Sequence, residues 1–156
     1  MAQINLTKRS AISSAMSFVE VDANWTAIQN AVNNGAGLYY FDTFYLGDET
    51  TAITTGTKIT TYLPVSLTDI TVAACITTAP TGASLVVDIH KAGVTMMATN
   101  KISIDIGDFS TNTASTPPAI TVSDYTAFDK LEIIIDQIGS TIAGAGVKVF
   151  LIGNIV

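Results

Sequence analysis

The residues of this chain that could carry acid–base chemistry centre on its single histidine, His90. Asp88 precedes it by two positions, so both side chains fall on the same face of an extended strand. Cys75 is the only cysteine, which leaves one copy of the chain without the paired ligands of a zinc site or a cysteine–histidine nucleophile pair. A serine triad would have to use His90 as its base. We therefore predict a surface polar pair, no enzymatic activity and no cofactor.

Oxygen-rich side chains form a second group that could do chemistry. Asp105, Asp108 and Asn112 could supply oxygen ligands to calcium. Their spacing differs from that of the helix-loop-helix calcium motif, so we predict solvated loop acids and no metal site.

Acidic residues also flank an aromatic run at residues 39–45, and aromatic rings beside carboxylates can bind sugars. We take Tyr39, Tyr40 and Tyr45 as candidate glycan contacts. Aromatic side chains in strands more often lie in a core or between subunits, and this alternative stays open.

The composition limits the elements and partners available to these residues. With 156 residues the chain is one domain in size and long enough to bury a sizeable core. Charged residues make up 13% of it, about half of the roughly 25% that is usual in soluble domains. The net charge of −6 would repel a phosphate backbone, so we exclude nucleic acid as a partner. No stretch of about 18 apolar residues is free of breakers, and we predict no membrane insertion.

From Leu38 onward, strand-like segments alternate with turn residues at intervals of roughly ten residues, which is typical of an all-β sandwich or barrel. Pro80-Thr81-Gly82 and Lys91-Ala92-Gly93 supply the fixed or positive φ that chain reversal requires. The predicted strands are Leu38–Leu46, Thr57–Leu63, Asp69–Thr78, Ser84–Lys91, Val94–Ala98, Lys101–Ile106, Ala119–Ser123, Lys130–Gln137 and Gly146–Ile152.

Several of these strands are apolar on both faces. The strand at residues 130–137, taken at period two, places three aliphatic residues on one face, yet Ile134 interrupts the polar pattern of the other. The same misfit occurs at Val86, Phe150 and Ile152. One apolar face requires only a partner sheet, whereas a second requires another covering, most simply another copy of the chain. We therefore predict that these four outward residues lie in an oligomer interface.

The amino-terminal segment, residues 1–21, shows no steady period, which predicts an extended arm. Its basic pair, Lys8 and Arg9, is a candidate for docking on an acidic surface, and the alternative of a solvated tail stays open. Serines within residues 11–19 make the segment too polar for a secretory signal, and a single cysteine fits folding in a reducing cytoplasm.

Residues 22–37 predict a short helix that ends in a glycine hinge. Trp25, Ile28 and Val32 would form one apolar seam along this helix, which is the geometry of a small oligomerising bundle. Because so short a helix is marginal alone, the seam requires packing, either against its own copies or against the base of the sheet domain. We therefore add these three residues to the predicted oligomer interface.

Two motifs in the strand region support a resemblance. The segment Ala79–Gly93, APTGASLVVDIHKAG, is followed downstream by Asp136–Ala145, DQIGSTIAGA. In this order they resemble a β-sandwich domain of tailed-bacteriophage structural proteins, which occurs in tail fibres, head fibres and capsid decoration proteins. The similarity covers about residues 62–151, and residues 24–33 resemble segments near the start of phage fibre proteins.

The resemblance implies a jelly-roll-like antiparallel β-sandwich head at residues 38–156 and a homotrimer on the virion surface. The arm would attach it to phage capsid proteins, as a head fibre or decoration protein made in the host cytoplasm. The alternative is a tail-fibre receptor-binding tip that recognises a host surface glycan. Phe128-Asp129 and Ala92-Gly93 stand where the family often has Gly-Asp and Asn-Gly, so the resemblance does not carry a ligand specificity.

Overall fold

The computed structural model describes residues 25–30 and 38–156. Residues 25–30 form a helical segment, and a separate compact unit spans Tyr39–Ile155. Within the described residues this second unit is built from eight strands. They are β1 (Tyr39–Tyr45), β2 (Gly56–Tyr62), β3 (Leu67–Cys75), β4 (Leu85–Lys91), β5 (Val94–Thr95), β6 (Ile102–Ile104), β7 (Lys130–Gln137) and β8 (Lys148–Ile155).

The strands form two antiparallel sheets, which confirms the predicted all-β sandwich. The three-stranded sheet has the order β1-β8-β3, and the larger sheet has the order β2-β7-β4-β5, with β6 also paired to β4. The first strand thus pairs with the last, the second with the next to last, and the fourth with the fifth. Such pairing arises when one long hairpin is wrapped into two layers. The strand order is therefore jelly-roll-like.

Alternate side chains of both sheets form the core. In β7, Leu131, Ile133 and Ile135 are fully buried, as the period-two pattern predicts. The neighbouring strands β4 and β8 contribute alternate residues in the same way: Leu85, Val87, Ile89, Val147, Val149 and Leu151. Each such side chain stabilises the fold by about 1.5–3 kcal/mol relative to an exposed position. This burial also decides which residues of each strand face outward.

The prediction of a strand at Ala119–Ser123 is wrong, because the structure has no strand over these residues. Ile120 makes only an isolated bridge with Met97. The two prolines that precede the segment, Pro117 and Pro118, have no backbone N–H to donate to a ladder. Ile120 packs against the core beside the sheet without extending it, whereas Val122 is exposed.

β5 and β6 are shorter than the segments predicted at residues 94–98 and 101–106. β5 ends at Thr95 because Met96 and Met97 are both buried, and two successive inward residues break the alternation of a strand. Ile106 is exposed beyond the end of β6, although its spacing predicts an inward position.

The turn between β4 and β5 confirms the reversal predicted from Lys91-Ala92-Gly93. Ala92 and Gly93 both have positive φ, 50° and 83°, and Lys91 pairs with Val94 across the turn. Positive φ at both central positions is the geometry of a two-residue hairpin turn whose twist suits antiparallel strands.

Candidate interaction face

The outward face of the three-stranded sheet carries aromatic side chains along the edge strand β1. Strand register places each outward residue of β1 in a row with one residue of β8 and one of β3. We call the surface made by these four rows the aromatic face. Its rows are Tyr39 with Asn154 and Thr68, Phe41 with Ile152 and Thr71, Thr43 with Phe150 and Ala73, and Tyr45 with Lys148 and Cys75.

Aromatic rings occupy the middle of this face. Phe41 and Phe150 stack with ring centroids 6.2 Å apart and an angle of 16° between the ring planes, within the distance range of favourable aromatic pairs. Tyr39, Phe41 and Tyr45 are each more than half exposed, and no residue of the four rows is buried. Phe150 and Ile152, both predicted to lie in an oligomer interface, therefore share one solvent-facing surface.

The aromatic face is nearly neutral. Lys148 is the one charged residue in its four rows, and the Nζ of Lys148 lies 2.6 Å from Oε1 of Glu49. This hydrogen bond raises the pKa of Lys148 and lowers that of Glu49. The hydroxyl of Thr77 also donates to Glu49. The charge of Lys148 is thus compensated within the subunit.

Tyr40 lies on the opposite side of β1 from Tyr39 and Tyr45, so the three candidate glycan contacts do not form one surface. Alternation along the strand turns Tyr40 inward, where its ring packs against the core. Its hydroxyl donates a hydrogen bond of 2.9 Å to Oδ2 of Asp42. Burial, together with this hydrogen bond to a carboxylate, raises the pKa of Tyr40 to about 12.

A shallow cleft of about 320 Å³ adjoins Tyr45 at one end of the aromatic face. Asp48, Thr51 and Lys58 line it as well. The side-chain hydroxyl and backbone N–H of Thr51 donate to the Asp48 carboxylate, which lowers the pKa of Asp48. The cleft thus combines an exposed aromatic ring with charged and hydroxyl-bearing groups, which can orient a small polar ligand.

The outward face of the larger sheet holds the other two strand residues predicted for the interface, Val86 and Ile134. Both are half-buried, and Ile134 pairs with Asp88 on one side and with Thr57 on the other. Ion pairs join Lys101 to Asp136 at 2.6 Å and Lys130 to Glu132 at 3.0 Å on the same face. Phe150 and Ile152 lie on the outward face of the other sheet, so the four strand residues do not form one contiguous surface. That these residues lie in an oligomer interface stays a prediction.

Asp88 is buried, which corrects the predicted surface pair with His90. Its side chain is on the outward face of β4, yet the residue is only 1% exposed. Oδ1 accepts hydrogen bonds from the Thr95 hydroxyl at 2.7 Å and from the Ile89 N–H at 2.8 Å. Oδ2 lies 2.8 Å from Nζ of Lys101 and 3.1 Å from Nε2 of His90. The side chains of Thr95 and Lys101, two residues that come after β4 in the sequence, therefore cover the carboxylate.

The partners of Asp88 reverse the effect of its burial. Burial alone would raise the pKa of this carboxyl, but hydrogen bonds from Lys101, Thr95 and His90 together lower it. Lys101 also binds Asp136, and its hydrogen bonds to both carboxylates raise the pKa of Lys101. Within the described residues, no buried side-chain nitrogen or oxygen lacks a hydrogen-bond partner. The Asp88 cluster is thus a fully satisfied network that ties β4 to the segments after it.

The helical segment at residues 25–30 carries two of the three residues predicted for the apolar seam. Trp25 and Ile28 are three positions apart on one side of this helix, and both are exposed. Outside the described residues lie Val32, the arm at residues 1–21, and its basic pair Lys8 and Arg9. The seam and the attachment role therefore stay predictions.

The loop acids considered for calcium instead fasten their own loop. Asp105 accepts a hydrogen bond of 2.8 Å from the N–H of Ser115, which lowers the pKa of Asp105. Asp108 accepts one of 2.9 Å from the Thr113 hydroxyl. In the part of the chain that the structure describes, no group of three or more His, Cys, Asp or Glu side chains is arranged to hold a metal ion.

Sequence patterns did not single out three residues that shape these sites. Phe41 carries a usable signal, because it alternates with Tyr39 and Tyr45 and so shares their face. Thr95 and Lys101 carry none, since their contacts with the Asp88 cluster depend on how the chain folds back after β4.

None of the helices in the described ranges is both long and apolar enough to cross a membrane. Comparisons with protein-family models, with curated proteins and with solved structures found no match to this chain.

Proposed function

We propose that this chain is a non-enzymatic structural protein of a tailed-bacteriophage virion, a homotrimeric head fibre or capsid decoration protein. Its β-sandwich forms the exposed head. Residues 1–21, with Lys8 and Arg9, attach it to capsid proteins. It is made in the host cytoplasm and resides on the virion surface.

The observation that carries this proposal is the aromatic face. A sandwich needs one apolar face on each sheet to form its core, and the inward residues of both sheets already provide it. Phe41 and its neighbours add a second apolar surface on the outside of the three-stranded sheet. Exposed apolar patches of this kind mark surfaces that contact other macromolecules.

The motifs that resemble phage structural proteins add a second support, because they meet in space. The N–H of Thr81 donates to the carbonyl of Ile142 at 3.0 Å, and the N–H of Thr141 donates to the carbonyl of Thr81 at 3.0 Å. A Cβ on Gly139 would collide with backbone atoms of Thr81 and Ile142, so this contact requires glycine. The two motifs are thus one packed unit of the fold, which favours a resemblance of whole domains.

Low-resolution imaging of phage particles that lack this protein tests the proposal. We expect capsid protrusions to disappear while tails stay intact. Complementation with a variant that carries Lys8→Glu and Arg9→Glu should fail to restore them, whereas Asp124→Lys, a charge reversal at an exposed residue of the head, should succeed. Particles that lose density only at the tail tip, or that do not change, would contradict the proposal.

The second candidate function is a tail-fibre tip that binds a host surface glycan, and the cleft beside Tyr45 favours it. The ring of Tyr45 could stack on a sugar while Asp48 and Lys58 form hydrogen bonds with the hydroxyl groups of the sugar. Glycan-array binding by the full chain tests this function, with Tyr45→Ala compared with Tyr39→Ala, which lies outside the cleft. Binding that is lost only in Tyr45→Ala would support the glycan-binding tip, and no binding by the unmodified chain would reject it.

A further inference from the structure

We propose that the aromatic face is the surface through which copies of this chain pack against one another, with the Phe41–Phe150 stack at its centre. The inference rests on the proposed homotrimer and names the surface that holds it together. It selects the outward face of the three-stranded sheet and not the face that carries Val86 and Ile134.

The exposed area is suited to an interface between subunits. Tyr39, Phe41 and Tyr45 are 54%, 61% and 62% exposed. At about 200 Å² per aromatic side chain, these three rings present roughly 350 Å² to solvent. A standard interface buries about 800 Å² per partner, of which about 60% is apolar. One strand therefore supplies most of the apolar area that a stable contact needs, before Ile152 and Phe150 are added.

The charge distribution favours a second copy as the occupant. Copies of a chain with a net charge of −6 repel each other, and the repulsion is weakest where their surfaces are neutral. The aromatic face is such a surface because Glu49 compensates Lys148. Asp69 lies beside the Tyr39 row, where its carboxylate accepts a hydrogen bond of 2.8 Å from Asn154. An identical subunit can therefore cover the middle rows without burying an unpaired charge, whereas a strongly charged partner would find nothing there to pair with.

The geometry of β1 indicates that the copies meet face to face. β1 is an edge strand of its sheet in the described structure, so another strand could in principle pair with it. Asp42, however, points to the inward side of β1, where it accepts hydrogen bonds from the Tyr40 hydroxyl and the Thr43 N–H. An inward-pointing charge on an edge strand hinders the addition of another strand. The rings therefore pack against a neighbouring subunit without extending the sheet.

The outward face of the larger sheet is unsuited to the same role. Two ion pairs, Lys101 with Asp136 and Lys130 with Glu132, would lose water if that face were covered. The aromatic face has one ion pair, Lys148 with Glu49, and it lies in the end row, away from the Phe41–Phe150 stack. Removing such ion pairs from water is unfavourable unless new hydrogen-bond partners replace the lost water molecules. Val86 and Ile134 are in addition already half-buried within the subunit, so they offer little area for a contact.

Sedimentation equilibrium of the full-length chain over a range of concentrations tests the inference. The variant is Phe41→Ser, and its matched control is Phe109→Ser, because Phe109 is 59% exposed but lies outside the aromatic face. We expect the unmodified chain to associate, and Phe41→Ser to raise the dissociation constant by about tenfold or more. Phe109→Ser should leave it unchanged. Circular dichroism checks that each variant is folded.

The outcomes separate this inference from the proposed function. An unmodified chain that stays monomeric, or a Phe41→Ser variant that associates like the Phe109→Ser control, overturns the inference. The proposed location on the capsid is tested separately: it stands if particles that lack the protein lose their capsid protrusions, even when the purified chain is monomeric. Conversely, weakened association of Phe41→Ser supports the interface even where removal of the protein leaves the particle unchanged.

Discussion

Replacement of Asp88 by asparagine tests whether the carboxylate cluster on β4 stabilises the sandwich. The substitution keeps the shape of the side chain and removes its charge. The amide oxygen can still accept from the Ile89 N–H and the Thr95 hydroxyl. Its NH₂ group then faces Lys101 and His90, which both approach the present Oδ2.

The expected loss has two sources. The ammonium of Lys101 loses an acceptor, and the hydrogen bonds from the Ile89 N–H and the Thr95 hydroxyl are no longer made to a charged group. Hydrogen bonds to a charged group contribute about 1.5–3 kcal/mol each. Lys101 keeps its contact with Asp136 at 2.6 Å, which offsets part of the loss. We expect the free energy of unfolding to fall by about 3 kcal/mol, a large fraction of the roughly 5–15 kcal/mol of a typical domain.

Urea unfolding at neutral pH measures this difference, with all proteins at one concentration because association adds to apparent stability. Asp136→Asn is the matched control, since it removes the other carboxylate of Lys101 from a more exposed position. Exposed ion pairs contribute about 0–1 kcal/mol, so the control should change little. Equal losses in the two variants, or a loss below about 0.5 kcal/mol in Asp88→Asn, would refute this account of the cluster.

The pH dependence of the same difference has a defined sign. The folded protein holds the pKa of Asp88 below its usual value of about 3.9. A carboxylate of this kind stabilises the fold above its unfolded pKa, and the stabilisation is lost as the pH falls through the folded pKa. The difference between the unmodified protein and Asp88→Asn should therefore shrink as the pH falls below the usual value for an aspartate. Lys101, His90 and Asp136 face the same cluster in both proteins.

Two further predictions concern the fold. Tyr125→Phe removes the hydroxyl that accepts a hydrogen bond of 2.9 Å from the Leu63 N–H. Urea unfolding should show that the free energy of unfolding falls by about 1–3 kcal/mol. The control Tyr62→Phe, at an exposed tyrosine, should change it by less than about 0.5 kcal/mol. Gly144→Ala and Gly56→Ala impose similar backbone strain, with φ of +99° and +102°, but only at Gly144 would a Cβ meet a side-chain carbon at 2.6 Å. Thermal unfolding should therefore show Gly144→Ala to be less stable than Gly56→Ala by about 1–3 kcal/mol, and equal stabilities would argue against tight packing at that glycine.

The inward faces of the strands could be predicted from the sequence because they depend on local alternation. Leu131, Ile133 and Ile135 need only an extended backbone and a partner layer to be buried together. The segment at residues 119–123 has strand-like composition as well, yet its pairing depends on a neighbour elsewhere in the chain. Local propensity does not specify that neighbour.

The candidate sites show the same division between local and long-range information. The period-two alternation of each strand predicts that Phe150 and Val86 point outward. In the structure both residues alternate with buried neighbours, as predicted. Which outward residues share a face depends on which sheet each strand joins. For the aromatic face this is set by the pairing of β1 with β8, two strands that are adjacent in space but far apart in sequence. The burial of Asp88 likewise depends on Lys101, whose approach follows from the return of the chain after β5.

The thiol of Cys75 offers the most direct test of whether copies of the chain cover the aromatic face. Cys75 shares a row of this face with Tyr45 and Lys148, and its thiol is free and half-buried. The rate at which a soluble thiol reagent modifies the unmodified chain should fall as protein concentration rises, while Phe41→Ser should react faster than the unmodified chain at the same high concentration. Modification rates that do not depend on concentration, and that are equal in the two proteins, would contradict the account.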